Sequence, residues 1–282
     1  MIRKLTILGP GLLGGSIGLA ARQRKAAAKV AIWARRPEAA DQAFTLGAAD
    51  EAGSDLRRAV ADAELIVLAT PLGAMPALAS QIAPLVSPEC VVTDVGSVKY
   101  PIVTALSALF PKFVGSHPMA GSEQSGISAA RPDLFDGTLC LLTPSPASCP
   151  EALEKVRRLW KDAGCALREM SAIAHDRSIA RLSHLPHAAA AALVHAATRG
   201  GEESPALAGN GYRDSTRVAG GSEGLWAEIL LDNPAEIVPA ITDLQSALEE
   251  LKSALVRGDR RAVEGFLARA RALRSNEKIP PA

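Results

Sequence analysis

His117 stands among small and flexible residues in the segment GSHPMAGSE, which spans residues 115–123. An imidazole changes its charge near neutral pH, so it can take a proton from a substrate hydroxyl with little tuning. If a bound group accepts a hydride from the same carbon, the result is the oxidation of an alcohol. The segment therefore indicates a general base, and the rest of the sequence must supply the hydride acceptor.

A glycine pattern near the start of the chain predicts that acceptor. Gly9, Gly11 and Gly14 form G-x-G-x-x-G between a predicted strand over residues 5–8 and a predicted helix that runs to Arg24. Such glycines permit a tight turn and a close approach to a pyrophosphate, whose charge the helix N-terminus stabilises. We therefore expect a dinucleotide. The residues predicted to bind it are Gly9, Gly11, Leu12, Leu13 and Gly14, together with Thr70 and Pro71 after the third strand.

The end of the second predicted strand, residues 30–33, bears on which dinucleotide binds. An acidic residue there would bind the ribose hydroxyls of NAD, but this chain has Ala34, Arg35 and Arg36. Two guanidinium groups can clamp a 2′-phosphate, so the sequence favours NADP over NAD. The alternative is that both arginines are simply solvated at the start of a helix.

Short apolar segments alternate with helix-length segments as far as residue 171. This alternation predicts a parallel sheet covered by helices on both faces, an α/β domain over residues 1–171. The predicted strands cover residues 5–8, 30–33, 65–69, 91–94, 112–115, 139–143 and 166–168. Helices are predicted between most of them, over residues 72–85 and 150–163 for example.

The remainder, residues 172–282, predicts an all-α domain. Helical patterns cover residues 172–198, with a kink or a break expected just before Pro186, and residues 234–257 and 260–274. The glycine-rich stretch 200–224 is predicted to be a loop. Because the helices are richer in alanine and leucine than a small bundle needs, we expect a homodimer through this domain.

Further polar residues are candidates for the same site. Ser97 follows the fourth strand in DVGSVK, where it could hold the imidazole or the substrate oxygen, although a helix N-cap is an equal alternative. His184 and His187 are three positions apart, with His175 upstream, and could bind substrate, cap a helix or lie in the core. A zinc site is a further alternative, but the remaining ligands have no clear spacing. Arg217 suits a carboxylate substrate, or else a salt bridge to Asp214 or Glu123.

Composition limits the partners and the compartment. The net charge of the 282-residue chain is +1, so no general attraction to nucleic acid or to anionic membranes is expected. The four cysteines form no C-x-x-C pair, and we predict reduced thiols. With neither a signal peptide nor a membrane-spanning run evident, we expect a cytoplasmic protein.

Taken in order, these motifs resemble the prephenate and arogenate dehydrogenases of tyrosine biosynthesis. The matching segments are LGPGLLGGSIG at residues 8–18, DVGSVK at 94–99, GSHPMAGSE at 115–123, HDRSIARLSHLPH at 175–187 and GYRDSTR at 211–217. The resemblance implies a Rossmann-type dinucleotide-binding domain followed by a helical dimerisation domain. It also implies an oxidative decarboxylation, in which a C4 hydroxyl is oxidised while the ring carboxylate leaves as carbon dioxide.

The resemblance also implies residue roles. His117 would polarise or deprotonate the hydroxyl, with Ser97 as its orienting partner at the nicotinamide. The substrate carboxylates would be bound by Arg217 and His187, while Glu123 and Asp214 would lie at the pocket mouth. Supporting roles fall to His175, Asp176 and His184, and residues near Glu123 and Gln124 could discriminate between prephenate and arogenate.

Two rival functions are a β-hydroxyacid dehydrogenase, for which Lys99 is the only nearby lysine, and a non-enzymatic NADP sensor.

Overall fold

Eight strands form one sheet in the computed structural model, which describes residues 1–121, 124–199 and 207–276. The strands are β1 (Ile2–Leu8), β2 (Ala27–Trp33), β3 (Glu51–Gly53), β4 (Leu65–Leu68), β5 (Val91–Asp94), β6 (Phe113–Pro118), β7 (Leu139–Thr143) and β8 (Ala166–Glu169). Their order across the sheet is β3-β2-β1-β4-β5-β6-β7-β8. Because β1 lies between β2 and β4, the order in which strands are added to the sheet reverses at β1. Open α/β sheets bind their ligands at such a point.

The seven predicted strands are confirmed, and two features of the sheet were not predicted. Strand β3 has only three residues, all half-buried, so the sequence contains no apolar run from which this strand could be predicted. Strand β7 is antiparallel to β6, whereas all other neighbours are parallel. The prediction of a wholly parallel sheet is therefore wrong at this pair. The described residues between β6 and β7 hold only a 3-10 turn, Ile127–Ala129, and no crossover helix of the kind that parallel neighbours require.

Helices cover both faces of the sheet. They are α1 (Leu12–Gln23), α2 (Pro37–Thr45), α3 (Leu56–Val60), α4 (Met75–Ile82), α5 (Tyr100–Ser107) and α6 (Pro150–Asp162). One apolar core contains Ile17 of α1 and Trp160 of α6, and a second contains Leu78 of α4 and Leu106 of α5. Because both faces are covered, all four residues of β4 are buried, as in other parallel sheets.

Six helices follow the last strand in the described part of the chain. They are α7 (Ala172–Ile179), α8 (Leu185–Thr198), α9 (Asn210–Thr216), α10 (Glu223–Asp232), α11 (Pro234–Val256) and α12 (Arg260–Asn276). A π-helical turn over Ala180–His184 lies between α7 and α8, just before Pro186, where the sequence predicts a kink or a break, and the helical run continues through it. Pro186 lies in the first turn of α8, and its missing N–H cannot donate to a carbonyl of the π-helical turn before it.

The loop predicted over residues 200–224 is wrong for the part that the structure describes, which begins at residue 207. Helix α9 forms despite its glycine, and α10 begins at Glu223. The packing of α9 against α8 outweighs the weak helix propensity of glycine. Residues 200–206 lie outside the described residues.

The chain divides into two compact units, Met1–Pro234 and Ala235–Ala282. The first contains the sheet and α1–α10. In the second, Arg269 of α12 forms an ion pair with Glu250 of α11, and Gly258 between the helices has a φ of +64°. Several apolar side chains of this second unit are exposed: Val238, Leu248, Leu255, Val256, Leu267 and Leu273. Within the described ranges, no helix is both long enough and apolar enough to cross a membrane.

Candidate active site

The glycine pattern forms a cradle at the end of β1. Gly9 has a φ of +112°, and a Cβ on it would lie 2.6 Å from the Ala69 carbonyl oxygen. A Cβ on Gly14 would lie 1.9 Å from the Gly9 oxygen, so both positions require glycine. Around Gly11, by contrast, no described atom lies within 4 Å of the Cβ position, and α1 begins there without a side-chain cap. Uncapped N–H groups and open space at a helix N-terminus fit a pyrophosphate.

Other predicted cofactor residues border this cradle. Leu12 and Leu13 are the first residues of α1 and pack on its core. The Thr70 methyl carbon is 3.1 Å from the Cβ position of Gly9, and the buried Thr70 Oγ1 has no hydrogen-bond partner among the described residues. Pro71 follows and begins the turn Leu72–Ala74.

Arg35 and Arg36 follow β2 directly and are exposed. Arg36 is the N-cap residue of α2, and its side chain does not cap the helix. Neither guanidinium forms a hydrogen bond or ion pair with a described residue. Both groups are therefore available to an anionic ligand at the carboxyl edge of β2.

A chain of three buried side chains begins at His117 on β6. His117 Nδ1 lies 2.9 Å from His175 Nε2, and His175 Nδ1 lies 2.7 Å from Asp176 Oδ1. Their residues are 7%, 0% and 4% exposed, so solvent does not compete for these hydrogen bonds. Burial, then repulsion from His175, Lys99 and His184, holds the pKa of His117 well below its usual value.

The hydrogen-bond network assigns the tautomers of the two imidazoles. Burial lowers the pKa of His175, which is therefore neutral at pH 7, although its hydrogen bond with Asp176 opposes the shift. A carboxylate only accepts, so His175 Nδ1 carries the proton and His175 Nε2 accepts from His117 Nδ1. This leaves the lone pair of His117 on Nε2. The chain thus presents a neutral imidazole with a defined basic nitrogen.

Asp176 also fixes the loop that carries Ser97. Its Oδ1 and Oδ2 accept hydrogen bonds from the backbone N–H groups of Lys99 and Tyr100, each at 2.7 Å. Tyr100 is the first residue of α5, so Asp176 of α7 satisfies this helix N-terminus. Ser97 is half-buried, does not cap α5, and its hydroxyl has no hydrogen bond to a described residue.

Beneath this loop lies a fully buried ion pair between Lys99 and Asp94. Lys99 Nζ also donates to the Ser116 carbonyl oxygen at 2.9 Å. Asp94 accepts from the backbone N–H groups of Gly96 at 2.8 Å and Ser116 at 3.2 Å. The pair therefore ties the Ser97 loop to the strand that carries His117.

Two further histidines cluster around Trp226 of α10. The His187 ring is stacked on Trp226 with centroids 3.5 Å apart, and the His184 ring stands edge-on to it at 6.3 Å. Both ring nitrogens of His184, and Nδ1 of His187, are buried without a hydrogen-bond partner among the described residues. Because buried polar atoms are normally satisfied, these nitrogens suit a polar ligand.

The remaining predicted substrate residues lie on neighbouring segments. Arg217 opens the turn Arg217–Gly220, which packs against α8, the helix that carries His187. Asp214 is exposed on α9, and Gln124 is exposed after β6. Glu123 lies outside the described residues.

Sequence reasoning missed the structural roles of several site residues. Lys99 was considered only as a rival base, and Asp94 was not singled out. Trp226 was not assigned a role, and the contact of Asp176 with α5 joins residues 76 positions apart. The stacking partner of His187 could not be found because no spacing rule pairs an imidazole with a distant indole.

The buried neutral histidines predict a loss of stability in mild acid. Burial lowers the pKa of His184 from 6.5 to about 4, and the pKa values of His117, His175 and His187 are lowered as well. Below about pH 6.5 these histidines bind protons in the unfolded chain but remain neutral in the folded chain. The free energy of unfolding should therefore be fully retained above pH 6.5 and fall progressively towards pH 4.

Urea unfolding at pH 7.5 and pH 5.5 measures this effect. His184→Leu should show a smaller loss between the two pH values than the wild type. His195→Gln, which alters an exposed histidine on α8, should lose as much as the wild type. An unfolding free energy that is equal at both pH values would contradict the prediction.

No group of three or more His, Cys, Asp or Glu side chains could hold a metal ion within the ranges that the structure describes. All four cysteines are free thiols.

The first six strands have the order 3-2-1-4-5-6 of doubly wound dinucleotide-binding folds, with the glycine cradle after β1 and a neutral imidazole near the same edge. Fold and site thus define a dinucleotide-dependent oxidoreductase. A family model described as "Prephenate dehydrogenase, nucleotide-binding domain" matches residues 17–169, and one described as "Prephenate dehydrogenase, dimerization domain" matches residues 171–269. The chain belongs to the prephenate dehydrogenase family. It is therefore a NAD(P)-dependent oxidoreductase that catalyses an oxidative decarboxylation in tyrosine biosynthesis.

Individual relatives agree with this membership. The cyclohexadienyl dehydrogenase of Zymomonas mobilis is 30% identical over 265 residues, covering 92% of this chain and 90% of that protein. The crystal structure of prephenate dehydrogenase from A. aeolicus, in complex with hydroxyphenyl propionate and NAD+, has a TM-score of 0.91 and 29% identity, with 98% of each chain covered. Synechocystis arogenate dehydrogenase has a TM-score of 0.84 and 29% identity, with 96% of this chain and 99% of that chain covered.

Proposed function

We propose that this protein oxidises and decarboxylates prephenate, arogenate or both with NADP, giving 4-hydroxyphenylpyruvate or tyrosine and carbon dioxide. The observation that carries the proposal is the buried chain from His117 through His175 to Asp176. Bound NADP would accept a hydride from the substrate carbon. The relatives named prephenate and arogenate dehydrogenase support the two substrates.

His117 is the proposed base. Its Nε2 takes the hydroxyl proton while the C4 carbon is oxidised, and the Nδ1 hydrogen bond to His175 stabilises the imidazolium that forms. Asp176 keeps His175 in the tautomer that can accept this hydrogen bond. Ser97, whose hydroxyl is free of described partners, orients the hydroxyl or the imidazole. The electron pair of the broken carbon–carboxylate bond moves through the ring to the C4 oxygen, which takes the proton back from His117 as the ring becomes aromatic. Positioning and one base are therefore sufficient.

The proposed substrate pocket uses the cluster around Trp226. His187 and Arg217 bind the substrate carboxylates, and His184 offers ring nitrogens that no described protein atom satisfies. Asp214, Gln124 and Glu123 are proposed at the pocket mouth. There they would discriminate between the keto group of prephenate and the amino group of arogenate.

The rival functions have less support. The Lys99 ammonium group is held between Asp94 and the Ser116 carbonyl oxygen, so it does not suit the role of a β-hydroxyacid dehydrogenase base. Family membership makes the chain an oxidoreductase, which contradicts a purely non-enzymatic NADP sensor.

The proposed NADP preference rests on Arg35 and Arg36. Substituting both with alanine should raise the KM for NADP by about tenfold or more while changing the KM for NAD little, because only NADP carries the 2′-phosphate. Steady-state kinetics with each cofactor measures the effect. Equal KM changes for both cofactors would contradict the role of a phosphate clamp.

Four reactions test the function itself, namely reduction of NADP and of NAD with prephenate and with arogenate. We expect the highest kcat/KM with NADP and at least one of the two substrates. A protein that binds NADP tightly but reduces it with neither substrate would overturn the proposal.

We further propose that the cofactor part of the chain is residues 1–171 and that residues 172–282 contribute the substrate pocket and a homodimer interface. The match to a dimerization domain and the exposed apolar side chains of α11 and α12 support the dimer. Sedimentation of the purified protein measures it. The cytoplasmic location stays a prediction.

A further inference from the structure

Helix α10 carries a carboxylate that the proposed mechanism does not use. Oε2 of Glu228 is shielded from solvent and has no hydrogen-bond partner in the described part of the chain. A buried carboxylate oxygen without a donor is costly, and folded proteins rarely retain one. Glu228 is therefore suited to a hydrogen-bond donor that comes from a ligand.

Glu228 lies against the turn that follows β4. Its Oε1 is 4.0 Å from the Cβ position of Gly73, within the turn Leu72–Ala74. The next residue, Ile229, is buried in the same apolar cluster as Leu72 and Val98. This packing holds α10 beside the turn.

The same turn borders the cofactor cradle. Strand β4 pairs directly with β1, and the Thr70 methyl carbon lies 3.1 Å from the place that a Cβ on Gly9 would occupy. Thr70 Oγ1 is likewise buried without a described partner. Two unsatisfied polar groups, Thr70 Oγ1 and Glu228 Oε2, therefore flank one turn at the sheet's ligand-binding edge.

The position of the turn points to one half of the dinucleotide. Arg35 and Arg36 follow β2, on one side of β1, where the adenosine half with its 2′-phosphate is placed. A dinucleotide that crosses β1 has its other half over β4 and β5, towards Ser97. The ribose of that half offers two adjacent hydroxyl donors, a good match for the two oxygens of a carboxylate.

We propose that Glu228 accepts hydrogen bonds from the ribose hydroxyls on the nicotinamide side of the cofactor. The proposal rests on the proposed function only in requiring a nicotinamide dinucleotide. Helix α10 would then contact both ligands, since Trp226 stacks on the substrate-binding His187 and Glu228 reaches the cofactor. Residues two positions apart differ by about 200° around a helix, which allows these two different neighbours.

Binding measurements test the assignment without turnover. The dissociation constants of NADPH and NADH are measured by their fluorescence for the wild type, Glu228→Ala, Glu228→Gln and Glu223→Gln. Glu228→Ala should weaken both dinucleotides about tenfold or more and by a similar factor, because they share this ribose. Glu228→Gln, which keeps one acceptor oxygen, should weaken them less. Glu223, exposed in the first turn of the same helix, is the matched control and should change neither.

A fragment separates ribose recognition from general damage. Adenosine 2′,5′-bisphosphate lacks the nicotinamide ribose, so its affinity should be unchanged in both Glu228 variants. Unchanged NADPH affinity in Glu228→Gln and Glu228→Ala, or equal losses for NADPH and the fragment, would overturn the inference. If the alanine variant does not fold, the nearly isosteric glutamine variant decides alone. A wild-type protein that binds no dinucleotide would overturn the proposed function as well.

Discussion

His117→Asn is expected to lower kcat by about 10²- to 10⁴-fold, the usual contribution of a positioned general base. Asparagine can keep a hydrogen bond to His175 but cannot take the hydroxyl proton. NADP binding should survive, because the cradle residues of β1 and α1 are untouched. Stopped-flow or steady-state kinetics, with NADPH fluorescence for binding, measures both quantities.

The pH profile gives this prediction a second readout. Because burial, and then the neighbouring His175 and Lys99 side chains, lower the pKa of His117, the wild-type rate should hold from pH 7 to below pH 6.5 before it falls. The acid limb should be absent in the variant. His195→Asn, an exposed histidine on α8, is the control that should keep full activity. Unchanged turnover in His117→Asn would remove the base from the mechanism.

Lys99→Met should produce the largest loss of stability, about 3–5 kcal/mol of unfolding free energy. The variant leaves the Asp94 carboxylate fully buried without its cation and leaves the Ser116 carbonyl oxygen without its ammonium donor. Urea unfolding at pH 7.5 measures the loss. The physical reason for the loss is the burial of a charge without its partner.

A second substitution tests that reason. Asp94→Asn combined with Lys99→Met removes both charges and should recover part of the stability lost in the single variant. Lys252→Met breaks an exposed pair with Glu249 and should have little effect. A Lys99→Met loss no larger than that of Lys252→Met would show that the buried pair is not needed for stability.

The features that could be predicted from sequence are local ones. The glycines of the cradle and the apolar strands were found because each depends on residues close together in the chain. The histidine at position 117 was found because its neighbours are small. The helix α9 was not predicted, because its glycine and short polar residues favour a loop until α8 packs against them.

Charged residues in the interior were the hardest to interpret. Lys99, Asp94 and Glu228 have side chains that are normally solvated, and nothing in their spacing shows that tertiary structure buries them. Asp176 was placed among the supporting residues, but its hydrogen bonds to the start of α5 depend on a contact far along the chain. Burial of such groups follows from long-range packing, which no local pattern encodes.

The π-helical turn over Ala180–His184 sets the direction of two imidazoles. In an uninterrupted α-helix, His175 and His184 would be nine positions apart and would face roughly opposite sides, about 180° from each other. A π-turn accommodates one extra residue, which reduces that angle to about 80°. If the same residues formed a regular α-helix instead, all of α8 would be rotated by about 100° and His187 would be carried away from Trp226. The phase of one helix therefore decides whether the proposed base and the proposed carboxylate binder His187 share a pocket.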